Sequence, residues 1–289
     1  MKTIDGKALA QRTRAEIAAG VAALKADKGV TPGLAVILVG DNPASVSYVT
    51  AKEKACAEAG MVSREIRLAA DAGEDELLAH IAALNDDPAI HGILVQLPLP
   101  RGYDEKKVID AISPEKDVDG FTPVNVGRML IGERCFLPCT PHGILKLIEF
   151  AGIDVRGRHV VVIGRSNIVG KPVAALLSRK GTDATVTLCH TGTPDVARFT
   201  RDADVVVVAT GRPGTLTGDM LKPGAVVIDV GVNRVPDASK ERGYRLVGDA
   251  DFESCAAVAS AITPVPGGVS PMTITMLLWN TLESARRVA

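Results

Sequence analysis

The feature that most constrains this chain is an alternation. Short unbroken runs of β-branched and aliphatic residues, bounded by Gly, Pro or Asp, are separated by stretches whose apolar residues recur three and four apart. A run with no polar alternation must be buried on both faces. The connection that brings the next such run alongside it in parallel is a crossover helix. Leu34–Val39, Gly92–Gln96, His159–Ile163, Ala184–Leu188, Asp204–Ala209 and Ala225–Val230 therefore predict buried parallel strands. Pro43–Ala59, Glu74–Leu84, Pro141–Ala151, Pro172–Arg179 and a final apolar stretch, Met272–Arg287, predict helices. The fold class is α/β.

With 289 residues, 46% of them hydrophobic, the chain is long enough to bury two cores. The stretch Ser113–Pro141 is rich in Pro, Gly and Asp and has no long periodic run, so it is the expected connection between two α/β domains. The first would span residues 1–140, with the C-terminal helix at 267–289 returning to it. The second would span 141–266, and a cleft would lie between them.

Composition narrows the function. Lys and Arg number 33 against 34 Asp and Glu, a formal charge of −1, so no basic face is implied for nucleic acid or an anionic membrane. Aromatic residues at 3% leave few platforms for stacking bases. No apolar run approaches the ~18 residues that span a bilayer. The first thirty residues carry Asp5, Glu16 and Asp27 and no apolar core, so no secretory or transit signal is expected. Cys56, Cys135, Cys139, Cys189 and Cys255 are irregularly spaced without a C-x-x-C pair, as expected of reduced, buried thiols in a cytoplasmic protein. The histidines at 80, 91, 142, 159 and 190 show no ligand-like clustering, and no metal is expected. A small-molecule partner fits this balance.

After the run at His159 comes Gly164-Arg165-Ser166-Asn167-Ile168-Val169-Gly170-Lys171-Pro172, leading into a helix. Strand, glycine-bearing turn and helix form the Rossmann-type dinucleotide arrangement, in which glycine lets the backbone approach a pyrophosphate at a helix N-terminus. Ser166 stands at the second glycine position, so the motif departs from G-x-G-x-x-G and also fits an ordinary strand-to-helix turn. Two further runs end in glycine, at Gly211 and Gly231, where nicotinamide and ribose usually lie. About twenty residues past the turn, where NAD enzymes place an acid on the ribose, the chain reads Cys189-His190-Thr191-Gly192-Thr193. With no acid there, hydroxyls at Thr191 or Thr193, and Arg165 to meet a 2′-phosphate, NADP is the expected cofactor. A solvated surface arginine is the plain alternative.

In the first half, Tyr48 and Lys52 stand four apart on one helical face, a spacing that a lysine covering a tyrosine ring also explains. Gln96 closes a strand at the C-terminal edge, where α/β sheets present ligands, and leads into Leu97-Pro98-Leu99-Pro100. Lys116-Asp117-Val118-Asp119-Gly120-Phe121 reads first as a solvated turn and second as a site.

Tyr48-x-x-x-Lys52, Gln96–Pro100, Lys116–Phe121, the Gly164–Pro172 turn and Pro264-Val265-Pro266-Gly267-Gly268-Val269 occur in one order over nearly the whole chain. Together they resemble the bifunctional methylenetetrahydrofolate dehydrogenase and methenyltetrahydrofolate cyclohydrolase family. The resemblance implies an NADP-dependent oxidation of 5,10-methylenetetrahydrofolate, then hydrolysis to 10-formyltetrahydrofolate, in a cytoplasmic homodimer of one-carbon metabolism and purine biosynthesis. It implies that Lys52 is the catalytic group with Gln96 as its hydrogen-bonding neighbour, that Tyr48 stacks on the folate aminobenzoyl ring, and that Asp119 hydrogen-bonds the pterin. Gly268 and Pro271 would contribute to the folate site, and Gly164, Arg165, Ser166, Thr191 and Val232 would hold NADP. Thr191 replaces a common serine but keeps the hydroxyl, and Ser270 stands where the family usually reads glycine. Two other readings are a different Rossmann dehydrogenase, such as a short-chain reductase with a catalytic Tyr-x-x-x-Lys pair, and a non-catalytic NADP-binding regulator. In short-chain reductases that pair follows the nucleotide motif, whereas here it precedes it.

Overall fold

The aliphatic runs assemble into two separate parallel sheets. The computed structural model describes residues 1–241 and 243–289. In chain order its elements are β1 (Lys2–Thr3), α1 (Gly6–Lys28), β2 (Gly33–Val39), α2 (Pro43–Glu58), β3 (Val62–Leu68), α3 (Glu74–Asp86), β4 (Gly92–Val95), α4 (Glu105–Asp110), α5 (Pro123–Ile131), α6 (Cys139–Phe150), β5 (His159–Ile163), α7 (Gly170–Ser178), β6 (Thr185–Cys189), α8 (Ala197–Thr200), β7 (Val205–Val208), β8 (Val226–Asp229), β9 (Asn233–Pro236), β10 (Tyr244–Val247), α9 (Phe252–Val258), β11 (Ala261–Ile262) and α10 (Val269–Val288). Among the described residues no helix is long and apolar enough to cross a membrane.

The chain divides into two compact units, one of Met1–Ala10 with Thr140–Thr273, the other of Gln11–Cys139 with Ile274–Ala289. The first ten residues thus pack with the later unit, not with the domain that the sequence begins. The reason is pairing: β1 joins β11 in parallel, Lys2 opposite Ala261. Residues 267–273 stay with that unit too, so only the later part of the final helix returns to the earlier one.

In the unit of 11–139 the sheet order is β3-β2-β4, all parallel. Every residue of β2 is buried. Ile37 and Ile93 pack with Leu77 and Ile81 of α3. At the C-terminal end of β2 the Asn42 side chain accepts from the backbone of Ala44 and Ser45, and Pro43 occupies the first turn, which starts α2. The segment expected as a bare connection is instead part of this fold. Asp117, Thr122 and Asn125 are buried in it, Thr122 caps α5, and Gly132 (φ 80°) ends that helix in the left-handed conformation.

In the other unit the order is β1-β11-β8-β7-β5-β6, every pairing parallel. The chain leaves β5 for β6 on one side, then crosses to lay β7 and β8 on the other. The strand order therefore reverses at β5, where doubly wound sheets take ligands. Val161, Ile163, Val206, Val208 and Val227 form part of one core. The antiparallel pair β9 and β10 follows β8.

Candidate active site and nucleotide cradle

Lys52 lies on the buried stripe of α2, with Ser45, Val49, Ala55 and Cys56. Its side chain is 9% exposed, and its Nζ donates to Gln96 Oε1 at 2.8 Å. Gln96 follows β4 directly; its amide donates to Leu97 O at 2.7 Å, which fixes the carbonyl oxygen toward the lysine. Asp119 reaches the same sheet edge because Lys116 O accepts from Ile93 N–H (2.8 Å), laying Asp117 alongside β4. Asp117 is not the solvated acid that its sequence suggests. Its carboxylate accepts from Phe121 N–H (3.1 Å), Thr122 N–H (2.8 Å), Thr122 Oγ (2.7 Å) and Asn125 Nδ2 (2.8 Å), and so shapes the turn that carries Asp119. Gly120 (φ 72°) is required there, since a Cβ would sit 2.7 Å from Phe136 O. From α10, Asn280 donates to Val118 O (2.8 Å) and Leu137 O (3.0 Å), holding the turn from its other side.

Burial drives the electrostatics. It lowers the Lys52 pKa, opposed chiefly by the charge of Asp119, and raises that of Asp119, opposed chiefly by Lys52. Burial thus brings the acid and the base closer in proton affinity than they are in water. The neighbouring thiols stay neutral. Burial pushes Cys56 up to about 12 and Cys139, hydrogen-bonded to Asp119, well above its ordinary value. No cysteine among the described residues is in a disulfide, and Cys56, Cys139, Cys189 and Cys255 are buried. The contacts of Cys139 and Asn280 with this turn were missed in the sequence; the thiol gave no signal beyond apolar burial, and Asn280 was one of several polar residues in the final helix.

Tyr48, one turn before Lys52, is 46% exposed, so its ring is open to a ligand instead of being covered by the lysine. Gly268 and Pro271 lie in the other unit. Gly268 is buried, its carbonyl so close to Gly6 that a Cβ on Gly6 would meet it at 1.7 Å. Ser270 needs no glycine-like backbone, because Asp183 is the one non-glycine with positive φ among the described residues.

At the end of β5, Gly164 has φ 121°, and a Cβ there would lie 2.2 Å from Ala209 O. A Cβ on Gly170 would lie 1.9 Å from Gly164 O, so α7 packs directly on the turn. Ser166 substitutes a hydroxyl for the missing glycine. Its Oγ accepts from Val169 N–H (3.1 Å) and Gly170 N–H (3.3 Å), capping the first turn of α7. Over the ends of β5, β6 and β7 opens a cavity of about 280 Å³ lined by Ile163, Gly164, Arg165, His190, Thr191, Val196, Thr210, Arg212 and Thr215. Two arginines, three threonines and no acid among the described lining residues suit an anionic ligand. Arg212 and His190 were not singled out in the sequence, although Arg212 directly follows the strand-ending Gly211. Gly192 N–H donates to His190 Nδ1 at 3.0 Å and His190 N–H to Thr193 Oγ at 3.0 Å, which sets the loop that presents Thr191. Val232 is outside this cavity, 38% exposed between β8 and β9. These donors fit a phosphorylated dinucleotide.

Comparison with known proteins covers both halves of the chain. Residues 4–119 match the family model for the tetrahydrofolate dehydrogenase/cyclohydrolase catalytic domain, and residues 138–289 match that for the NAD(P)-binding domain of the same enzymes. The bifunctional protein FolD of Pelobacter propionicus is 59% identical over 98% of this chain and 97% of its own. The crystal structure of bifunctional FolD, a methylenetetrahydrofolate dehydrogenase/cyclohydrolase, from Campylobacter jejuni superposes with a TM-score of 0.95 at 48% identity, over 100% of each chain. That of Trypanosoma brucei FolD, complexed with NADP cofactor and inhibitor, gives 0.94 at 44% identity, over 99% of this chain and 97% of that one. With both halves matched and the identity sustained end to end, this chain belongs to the tetrahydrofolate dehydrogenase/cyclohydrolase family.

Proposed function

We propose that this protein oxidises 5,10-methylenetetrahydrofolate to the methenyl form with NADP⁺ and hydrolyses that product to 10-formyltetrahydrofolate, with Lys52 as the proton carrier. The observation that carries the reading is the buried Lys52 amine, held 2.8 Å from Gln96 Oε1 beside Asp119. NADP⁺ supplies the hydride acceptor. Arg165 takes its 2′-phosphate with support from Thr191, Arg212 meets a further phosphate, Gly164 and Ser166 keep the turn open for it, and Val232 meets its other half. Oxidation asks the protein for alignment: Tyr48 stacks on the aminobenzoyl ring, and Asp119 holds the pterin.

Hydrolysis asks for protons. Water adds its oxygen to the cationic methenyl carbon and gives one proton to the neutral Lys52 amine. The resulting ammonium returns a proton to the ring nitrogen as the carbon–nitrogen bond breaks. The formyl group stays on the other nitrogen, and one proton is released overall. Lowering the lysine pKa raises the fraction able to accept that proton near neutrality. Gln96 keeps the amine aimed while its charge changes.

The division of labour proposed is folate chemistry by the unit that holds Gln11–Cys139 and NADP binding by the unit that holds Thr140–Thr273. A cytoplasmic homodimer follows from the family resemblance, and light scattering tests its assembly. The function is tested by mixing the protein with methylenetetrahydrofolate and NADP⁺. One NADPH per folate consumed, with 10-formyltetrahydrofolate as end product, is expected. NADPH formation with methenyltetrahydrofolate accumulating unhydrolysed refutes the second activity, and absence of NADPH refutes the first.

A further inference from the structure

Two buried carboxylates, Asp229 and Asp249, take no part in the sites above. Asp249 has no exposed surface, and a buried charge is costly unless donors saturate it. Its donors come from the loop after β7 and from the first residue of β9. Oδ2 accepts from the Thr210 N–H, the Gly211 N–H (2.8 Å) and the Thr210 hydroxyl (3.0 Å), all just after β7. Oδ1 accepts from Asn233 Nδ2 (2.8 Å), just after β8. Asp249 is itself fixed, its N–H donating to Asp229 Oδ1 at 2.9 Å and its carbonyl accepting from Thr215 N–H at 2.8 Å. Asp229, the last residue of β8, also accepts from Gly231 N–H (3.0 Å) and Ala250 N–H (3.0 Å). The approach is close enough to require glycine twice. A Cβ on Gly231 would lie 2.1 Å from Asp249 Oδ1, and one on Gly248 would lie 1.7 Å from Asp229 Oδ2.

The strand order says which part of a dinucleotide these loops face. The pyrophosphate turn follows β5, and β6, with Thr191 after it, lies on one side. The ends of β7 and β8 lie on the other, the side left for nicotinamide and its ribose. Val232 is held on both flanks by the pair, through Gly231 to Asp229 and through Asn233 to Asp249. Arg212 N–H donates to Thr210 Oγ at 3.3 Å, so that residue's backbone is set by the same clamp.

We propose that Asp249 is a positioning residue for the nicotinamide half of the cofactor, locking the loops after β7 and β8 into one arrangement through Thr210, Gly211 and Asn233. The assignment rests on the NADP reading above. A hydrophobic side chain would fill the same volume without the cost of a buried charge. What it could not do is gather two amides, a hydroxyl and a side-chain amide from separate segments onto one group.

The test compares parent, Asp249→Asn and Asn233→Ala. Asparagine keeps the shape and one acceptor, but its NH2 must then face a donor. Asn233→Ala removes only the link to the loop after β8. Calorimetry would measure the affinity of each protein for NADP⁺ and for adenosine 2′,5′-bisphosphate, which lacks the nicotinamide half. Backbone amide exchange at Thr210 and Gly211 would be followed without ligand. For Asp249→Asn, NADP⁺ affinity is expected to fall roughly 10-fold or more, the scale of one hydrogen bond to a charged group. Bisphosphate affinity should fall clearly less than NADP⁺ affinity, since Arg165 and Thr191 lie across β5 and only Arg212 is tied to the clamp, through Thr210. Exchange at Thr210 and Gly211 should quicken, and Asn233→Ala should shift NADP⁺ affinity in the same direction by less. Equal weakening of both ligands would mean general destabilisation and overturn the assignment, as would unchanged NADP⁺ affinity in both variants. A parent that binds neither ligand would overturn the NADP reading, and this assignment with it.

Discussion

Replacing Lys52 with glutamine keeps a polar side chain near Gln96 and removes the titrating amine. The parent amine is buried, makes its hydrogen bond to Gln96 Oε1 at 2.8 Å, and has its pKa lowered by burial against the pull of Asp119. Positioned proton transfer of this kind contributes about 10²–10⁴-fold. Cyclohydrolase kcat should therefore fall at least ~100-fold, or about 2.7 kcal/mol at ~1.36 kcal/mol per decade. Dehydrogenase kcat should fall less, under ~10-fold, because hydride transfer asks for alignment and the glutamine amide can still donate to Gln96. Lys52→Ala should damage both steps further. It removes three buried methylenes, about 2 kcal/mol at ~0.8 kcal/mol each, and leaves Gln96 Oε1 without its donor, a further ~1–3 kcal/mol. The assay is the two rates on one preparation, with folding checked by NADP⁺ binding. A Lys52→Gln protein that binds NADP⁺ and hydrolyses methenyltetrahydrofolate at the parent rate would remove Lys52 from the mechanism.

Arg165→Ala should raise KM for NADP⁺ by about 1.5–3 kcal/mol while hardly changing that for NAD⁺, because only NADP⁺ presents a 2′-phosphate; equal effects on both cofactors would refute the role. Asp119→Asn should weaken folate binding in both half-reactions and leave binary NADP⁺ affinity unchanged, and loss of cofactor affinity alone would refute that assignment. His142 is a half-buried group on α6 whose pKa burial lowers to about 4, helped by the charges of Lys146 and Arg179 and opposed by Glu149. Between pH 6.5 and about 4 the unfolded chain binds a proton that the folded one does not, so stability falls as pH falls through that window, by at most about 3 kcal/mol. His142→Leu should flatten this acid limb in denaturant titrations, and an unchanged slope would refute the claim.

What was legible in the sequence follows from how each element is buried. His159–Ile163 was bounded to the residue because β5 is a central strand whose aliphatic run matches its buried length. β3 escaped notice because it is a sheet edge, VSREIRL, with charged residues along a half-exposed face and no unbroken apolar run. α1 was passed over although Leu9, Thr13, Ile17 and Val21 are buried at four-residue spacing, since the alanines between them blur the polar face. α5 was hidden by Pro123 and Gly127 and buries little besides Asn125 and Met129. At the site, Lys52 and Gln96 were found by their places on a helix face and a strand end. Asp249 was not, because its importance lies in four donors that stand 16 to 39 residues away in sequence. No local pattern carries that information.

The account depends most on the Lys52 amine titrating below an ordinary lysine. Protein labelled with ¹³C at the lysine ε carbons, with the Lys52 resonance assigned by its loss in Lys52→Gln, would report the titration of that one group directly. The account predicts a midpoint below 10.5, the ordinary lysine value, because burial outweighs the attraction of Asp119. A midpoint at or above 10.5 would mean that the ion pair dominates and that Lys52 stays a fixed cation, which contradicts its role as the proton carrier.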